Sequence, residues 1–410
     1  MVNEQGWKKW SVGELIAQTD TTIQTGPFGT VLSASEFIEY GIPVVSVREI
    51  REGFIRIVDE TPAVSDETYL RLYRYALLPD DIVFARKGSV DRSALIPNTG
   101  NKYFLGSDGI RIRVDKEKID PHLMLYIFQS SEAKRFLMQS AYGTTMAGLN
   151  ERIICSLEFT IPERVEEQQS IAKALADIDA HIQKTEQIVA KKKAIKQGAM
   201  QELLTGKKRL PGFADKWIMR TIGDIACIES GGTPSTTVGS YWNGKISWCT
   251  PTDITENRSK YIGNTEKTIT KEGVLNSSAK LLPKGTILLC TRATIGESSI
   301  ATDVITTNQG FKNLVCNDDV YNEFLYYALQ LKKTEMVSLA IGSTFLEISK
   351  NALSGILIDL PDNKDEQVAI AGVLSDIDEE IELLEQKLAK HRQLKQGMMQ
   401  QLLTGKTRLI

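Results

Sequence analysis

Apolar positions recur in steps of four and three along two stretches of the chain. Ile171, Leu175, Ile178, Ile182, Thr185 and Val189 keep this rhythm in the first; Ile370, Leu374, Ile377, Ile381, Leu384 and Leu388 keep it in the second. A repeat of 3.5 residues predicts a coiled-coil seam, narrower than the buried face of a globular helix. Near Lys192 and His391 the rhythm slips by three. It resumes at Ile195, Ala199 and Leu203, and at Leu394, Met398 and Leu402, which predicts a stammer that overwinds the coil. Pro162 and Pro361 stand just before the two stretches, and Gly206 and Gly405 follow them as C-terminal caps. Each stretch predicts a helix of about 40 residues, roughly 60 Å long at 1.5 Å per residue.

The two helices are copies of one phrase. Residues 166–210 and 365–409 align without a gap at an offset of 199, with about 25 of the 45 positions identical. The similarity continues upstream more sparsely: 141–162 matches 340–361, and 78–90 resembles 282–296. The chain thus divides into a first head (1–161), a first repeated helix (162–210), a second head (211–360) and a second repeated helix (361–410). Short β-rich runs at 42–47, 81–85 and 286–290 lie between Gly, Pro and Asp turns, and helical patterns fall at 121–140 and 322–340. The expected fold class is α+β: two mixed heads separated by two long helices, related by a pseudo-two-fold internal repeat.

Charge predicts how the helices pair. Each begins acidic, with Glu163, Glu166 and Glu167 in one and Asp362, Asp365, Glu366, Asp376 and Asp378 in the other. Each ends basic, from Lys191, Lys192, Lys193 and Lys196 to Arg209, and from Lys387, Lys390, Arg392 and Lys395 to Arg408. Antiparallel pairing sets opposite charges together, whereas parallel pairing would align like ones. The seam residues Ile171, Leu175, Ile178, Ile182, Ile370, Leu374, Ile377 and Ile381 are the expected contacts between the two helices.

The remaining composition narrows the function. The formal net charge is −3 and the pI is near 5.9, which argues against a simple basic nucleic-acid binder. Five scattered cysteines form no C-x-x-C pair and read as buried packing residues. The start, MVNEQGWKKW, has no secretory apolar stretch and no run is long enough to span a membrane, so a cytoplasmic location is expected. No phosphate loop, serine elbow or zinc-spaced cluster appears, nor the Asn-Pro-Pro-aromatic box of an amino-methylating DNA enzyme. The three histidines, His122, His181 and His391, read as structural or solvated. TGPFG (25–29) and SGGTPS (230–235) read as turns at matching points. No catalytic residue, metal site or cofactor is expected in this chain.

Two related heads suit a ligand with its own approximate two-fold symmetry, such as duplex DNA. Residue types fit for phosphate and base-edge contacts recur at matching places. They are Arg86, Lys87, Ser89, Thr144 and Thr145 in the first head, and Arg292, Thr294, Asn308, Ser343 and Thr344 in the second.

Three sets of residues carry a family resemblance: the twin EQ-x-x-IA-x-x-L-x-DID phrases (167–179 and 366–378), the twin KQG-x-MQ-x-LLTGK-x-RL endings, and SGGTPS…WNGKISWCTPTDI (230–254). With them the whole chain resembles the specificity subunit of a type I restriction–modification system. The resemblance implies that each head is a target recognition domain reading one half of a bipartite, asymmetric double-stranded DNA target. It implies that the helices, with the eight seam residues named above as spacer and partner-docking positions, set the gap and dock two methylation subunits, which carry S-adenosylmethionine and methylate adenine N6. Two further restriction (motor) subunits would use ATP and Mg to translocate and cut unmodified DNA. A self-sufficient enzyme and a coiled-coil adaptor for non-DNA ligands are the readings from other classes.

Overall fold

A strand that is apolar at every position forms only where both faces of its sheet are covered, and each half of the chain is built on one. The computed structural model describes residues 6–142, 148–257, 259–342 and 346–409. These fall into two units, one made of 1–186 with 387–410 and the other of 187–386. In unit 1 the strand Ile82–Ala85 is central to an antiparallel sheet ordered Thr22–Thr25, Gly109–Arg113, Ile82–Ala85, Ser93–Leu95. Its alternating side chains serve two cores. Ile82 and Phe84 join Ile110, Ile112 and Phe128 on one face, while Val83 and Ala85 join Val45, Phe104 and Leu105 on the other. The second face is covered by a five-stranded sheet in which Ile42–Val45 and Tyr103–Leu105 run parallel. Unit 2 repeats the device with Ile287–Cys290: Ile287 and Leu289 face one core, Leu288 and Cys290 the other.

Each head is closed where its chain enters and leaves. Trp7–Ser11 pairs antiparallel with Glu158–Pro162 in unit 1, and Trp217–Thr221 with Leu357–Pro361 in unit 2, with Trp7 opposite Pro162 and Trp217 opposite Pro361. The two long helices follow at once, Val165–Leu203 and Lys364–Leu402, each of 39 residues. They lie inside the segments 162–210 and 361–410, and each contributes one part to each unit.

Within each unit the two helical segments run antiparallel. In unit 1, Arg392 reaches Glu186, Lys395 reaches Asp179 and Arg408 reaches Glu167, each at 2.6 Å. In unit 2, Lys193 reaches Glu385 at 2.6 Å, Lys196 reaches Asp378 at 2.7 Å and Arg209 reaches Glu366 at 2.6 Å. Adding 199 to Glu186, Asp179 and Glu167 gives the three acids of unit 2. Subtracting 199 from Arg392, Lys395 and Arg408 gives its three bases. Every pair therefore joins one copy of the phrase to the other, and the exchange of copies produces the second unit.

This cross-pairing explains the residues that the two copies keep identical. Glu366 is fully buried and Glu167 nearly so, each gripped by both ends of an arginine fork. That bond holds the guanidinium of Arg209, and likewise that of Arg408, above the ordinary arginine range. Gln168 donates to the carbonyls of Pro162 and Lys118, and Gln367 to those of Pro361 and Asp319. Tyr126 donates to Asp179 at 2.9 Å beneath the Lys395 ammonium; Tyr327 donates to Asp378 at 2.7 Å beneath Lys196. Burial, and then the neighbouring carboxylate, push the Tyr126 phenol far above its usual range. Gly405 and Gly206 adopt φ of 69° and 67°, and a Cβ on either would lie 3.1 Å from the ring of Trp7 or Trp217. Glycine is needed there for both reasons.

Two expectations for the seam are corrected. The rhythm does not break near Lys192 and His391; it continues in steps of four and three through 192, 196, 199 and 203. Lys192 and Lys196 are half-buried, while Ile195 and Leu394, expected in the seam, are 46% and 53% exposed. A lysine stem packs as hydrocarbon while its ammonium reaches an acid, so the seam accepts cations that an apolar count skips. Secondly, Ile171, Leu175, Ile178, Ile370, Leu374 and Ile381 are buried, and Ile182 and Ile377 half-buried. Ile171 and Leu175 belong to the core of unit 1, Ile370 and Leu374 to that of unit 2. Side chains spent inside a unit offer no docking surface, so the docking part of that expectation fails for them.

At one seam level the units differ in charge. Unit 2 pairs Lys192 with Glu380, whereas the equivalents in unit 1 are His391 and His181, with ring centroids 6.0 Å apart. The His391 Nδ1 is buried without a hydrogen-bond partner among the described residues. Writing the ion pair into unit 1 (His181→Glu with His391→Lys) should stabilise that unit by about 0.5 kcal/mol, read as a higher urea midpoint. An unchanged or lower midpoint would contradict the equivalence of the two positions.

The cysteines are all free. Cys249 and Cys290 are buried as expected and burial pushes the Cys290 thiol up to about 12, but Cys227 is exposed on a strand edge, which corrects the reading of all five as buried. Among the described residues no helix is long and apolar enough to cross a membrane.

Candidate nucleic-acid interface

The loops at one end of the central sheet place Arg86, Lys87 and Ser89 in unit 1, and Arg292 and Thr294 in unit 2, in matching turns. After Ile82–Ala85 comes Lys87-Gly88-Ser89, and after Ile287–Cys290 comes Arg292-Ala293-Thr294. The equivalence is carried by hydrogen bonds. Ala85 N–H donates to Arg92 O and Cys290 N–H to Glu297 O; Leu149 N–H donates to Arg86 O and Ile348 N–H to Thr291 O. The middle residue has positive φ in both turns, 69° at Gly88 and 57° at Ala293. A cation, a left-handed residue and a hydroxyl-bearing residue thus follow in the same order in both heads, although the Thr294 Oγ1 is itself buried.

The glycine-rich segments pack against the loops that neighbour these turns. A Cβ on Gly26 would lie 1.8 Å from the Gly106 carbonyl oxygen, and one on Gly231 would lie 1.9 Å from that of Asn308. TGPFG and SGGTPS are therefore close-packed segments, and the first of them also meets a cationic loop. Phe28, about half exposed, lies under the Arg86 guanidinium at 4.5 Å.

The electrostatics of the two turns differ. Lys87, exposed, pairs with half-buried Asp108 at 3.0 Å. Arg292 is held by Glu347 at 2.7 Å, and Lys312 shares the same carboxylate at 3.2 Å. Burial raises the Glu347 carboxyl, but the bonds from Arg292 and Lys312 outweigh it and leave it below the ordinary range. Thr294 is half-buried and borders an open cleft of about 960 Å³ that also meets Thr255, Asn257 and Lys333. Asn308 turns inward, accepting from Gly310 N–H at 2.8 Å. Thr144, Thr145, Ser343 and Thr344 lie outside the described residues.

Phe28 and Glu347 were missed by residue-type matching, because it sought cations and hydroxyls shared by the heads. The only signal for Phe28 was its place between Pro27 and Gly29 in a loop already marked as a turn.

The family model for the type I restriction modification DNA specificity domain matches residues 26–194 and 214–391, one match for each head with its helix. The chain belongs to this family. Relatives include the MjaIX specificity subunit of a type I restriction enzyme from Methanocaldococcus jannaschii, 41% identical over 168 residues. That match covers 40% of this chain and 39% of the relative's length. The putative MjaX specificity subunit of the same organism is 25% identical across 99% of this chain and 97% of its own. A solved S subunit of a type I restriction–modification system from M. genitalium shares the fold, with a TM-score of 0.62 at 14% identity, covering 98% and 97% of the two chains. The specificity subunit is a recognition component and not a catalytic one, in keeping with relatives named for specificity.

Proposed function

We propose that each head of this specificity subunit reads one half of a bipartite, asymmetric DNA target. The observation that carries the reading is the turn built twice from different side chains, Lys87-Gly88-Ser89 beside Phe28 and Arg292-Ala293-Thr294 beside Glu347. Equivalent geometry suits equivalent docking on DNA; unlike side chains suit unlike half-sites. Cations at the turns and neighbouring loops supply salt-dependent phosphate attraction, and the Ser89 hydroxyl and the guanidinium groups read base edges.

The helices set the gap between half-sites and dock two methylation subunits. Because the seam is occupied internally, docking falls to outward residues such as Ile195 and Leu394, equivalent in the two copies and both exposed. S-adenosylmethionine resides on those methylation subunits, and ATP and Mg on two restriction subunits that join for cleavage.

Arg292→Ala tests the independence of the heads. The variant complex should lose recognition of one half-site at least tenfold and leave the other unchanged, as mapped from methylated adenines. Equal loss at both halves would contradict the reading. Because Arg292→Ala also frees Glu347, Arg292→Lys provides a variant that keeps the ion pair but loses the planar fork.

A further inference from the structure

The heads share one more loop, and there they diverge. After Ile42–Val45, the Ser46 N–H donates to the Glu49 carboxylate at 3.0 Å; after Trp242–Cys249, the Thr250 N–H donates to Asp253 at 2.8 Å. The Val45 and Cys249 carbonyls accept from Gly106 N–H and Asn308 N–H, tying both loops to the interface described above. Matching Ser46 with Thr250 and Glu49 with Asp253 aligns Arg48 with Thr252 and Arg51 with Thr255.

From that point unit 2 makes a short helical turn, Pro251–Glu256. Unit 1 makes a hairpin instead. Ile50 bridges Ile55, Arg51 N–H donates to Phe54 O at 2.9 Å, and Gly53 turns the tip at φ 84°. The tip is seated by the Gly53 N–H on Ser93 O at 2.8 Å, just beyond the turn that carries Lys87 and Ser89. Ile50 is fully buried, so the hairpin is anchored.

Its charges are unevenly committed. Glu49 is buried and bonded to the Ser46 amide, and Glu52 is paired with Lys134 at 2.5 Å. Among the described residues, no side-chain partner engages the guanidinium of Arg48, Arg51 or Arg56. Beside them Phe54 is 56% exposed. Three guanidiniums without a side-chain partner and an exposed phenyl ring on an anchored hairpin match a phosphate backbone and a guanine edge.

We propose that the 48–56 hairpin is a DNA-reading element of the first head alone. Arg51, half-buried and so the most restrained, reads guanine in the first half-site, while exposed Arg48 and Arg56 hold phosphates. The second head, with Thr252 and Thr255 in the matching places, makes no such contact. This inference rests on the proposed DNA-reading role.

The test uses the complex with its methylation subunits, Arg51→Gln, and the double variant Arg48→Gln, Arg56→Gln. Arg51→Gln should relax a guanine position in one half-site, with tenfold or greater loss of discrimination there and none in the other half. The double variant should weaken binding to all sequences alike and lower the salt dependence by about two units of log–log slope, at about 0.9 per phosphate. Arg51→Lys, which keeps charge but not the fork, should behave as Arg51→Gln, and unchanged thermal midpoints would exclude misfolding. An unaltered target and salt slope in folded variants would overturn the hairpin's role. Sequence-independent binding by the unmutated complex would overturn the DNA-reading role itself, and the hairpin's with it.

Discussion

Four residues inserted after Gln187 and four after Gln386 should abolish methylation of the native target and create a new one. The new target keeps both half-sites, with a gap longer by one or two base pairs. Those positions are 199 apart, so the insertion preserves the repeat and the antiparallel register of the ion pairs on either side. Four residues add about 6 Å of helix and slightly more than one turn, which keeps the seam nearly in phase. DNA rises roughly 3.4 Å per base pair, which sets the size of the shift. The loss at the native target should be near complete, because a head that cannot reach its half-site contributes no intramolecular binding. An insertion of two residues at each point, which turns the seam by about 200°, should lose both targets. An unchanged gap after the four-residue insertion would end the view of the helices as a spacer.

The second large effect is on stability. Leu374 is fully buried in the core of unit 2, where the second helix meets Phe324, Ile356 and Leu360; Leu175 occupies the equivalent place in unit 1. Truncating either removes packed methyl groups and leaves a cavity that rigid neighbours cannot close, at a cost of about 3 kcal/mol. Each leucine belongs to a separate core. Leu374→Ala should therefore speed amide hydrogen exchange in unit 2 and spare unit 1, and Leu175→Ala should do the reverse. Leu383→Ala, at a position 65% exposed, should change stability by less than about 0.5 kcal/mol. Uniform loosening by either core variant would contradict two separately packed units.

The long helices were legible because their pattern is local: heptad spacing, acidic starts and basic ends predict antiparallel partners without tertiary information. The expected stammer failed at Lys192 and Lys196, where a charged residue packs its stem in the seam and only the fold shows where its ammonium goes. The role of identical residues such as Glu167 and Arg408 was hidden for a related reason. They are far apart in sequence and meet only through exchange between copies. In the heads, the Lys87-Gly88-Ser89 and Arg292-Ala293-Thr294 turns could be anticipated from residue types near matching strands. The basic hairpin could not be found by comparing the heads, since it lies where one of them has a helical turn. REIREGFIR did carry a signal, three arginines around a Glu-Gly tip, but the commitment of both glutamates elsewhere became visible only in the fold.

The central claim is that one chain supplies two unlike readings at a fixed distance. Mapping methylated adenines across the genome of the host, with and without this chain, tests it directly. The expected result is a motif lost with the chain, made of two different half-sites separated by a constant, unspecified gap. A single uninterrupted motif, two identical halves, or a pattern that persists without the chain would contradict it.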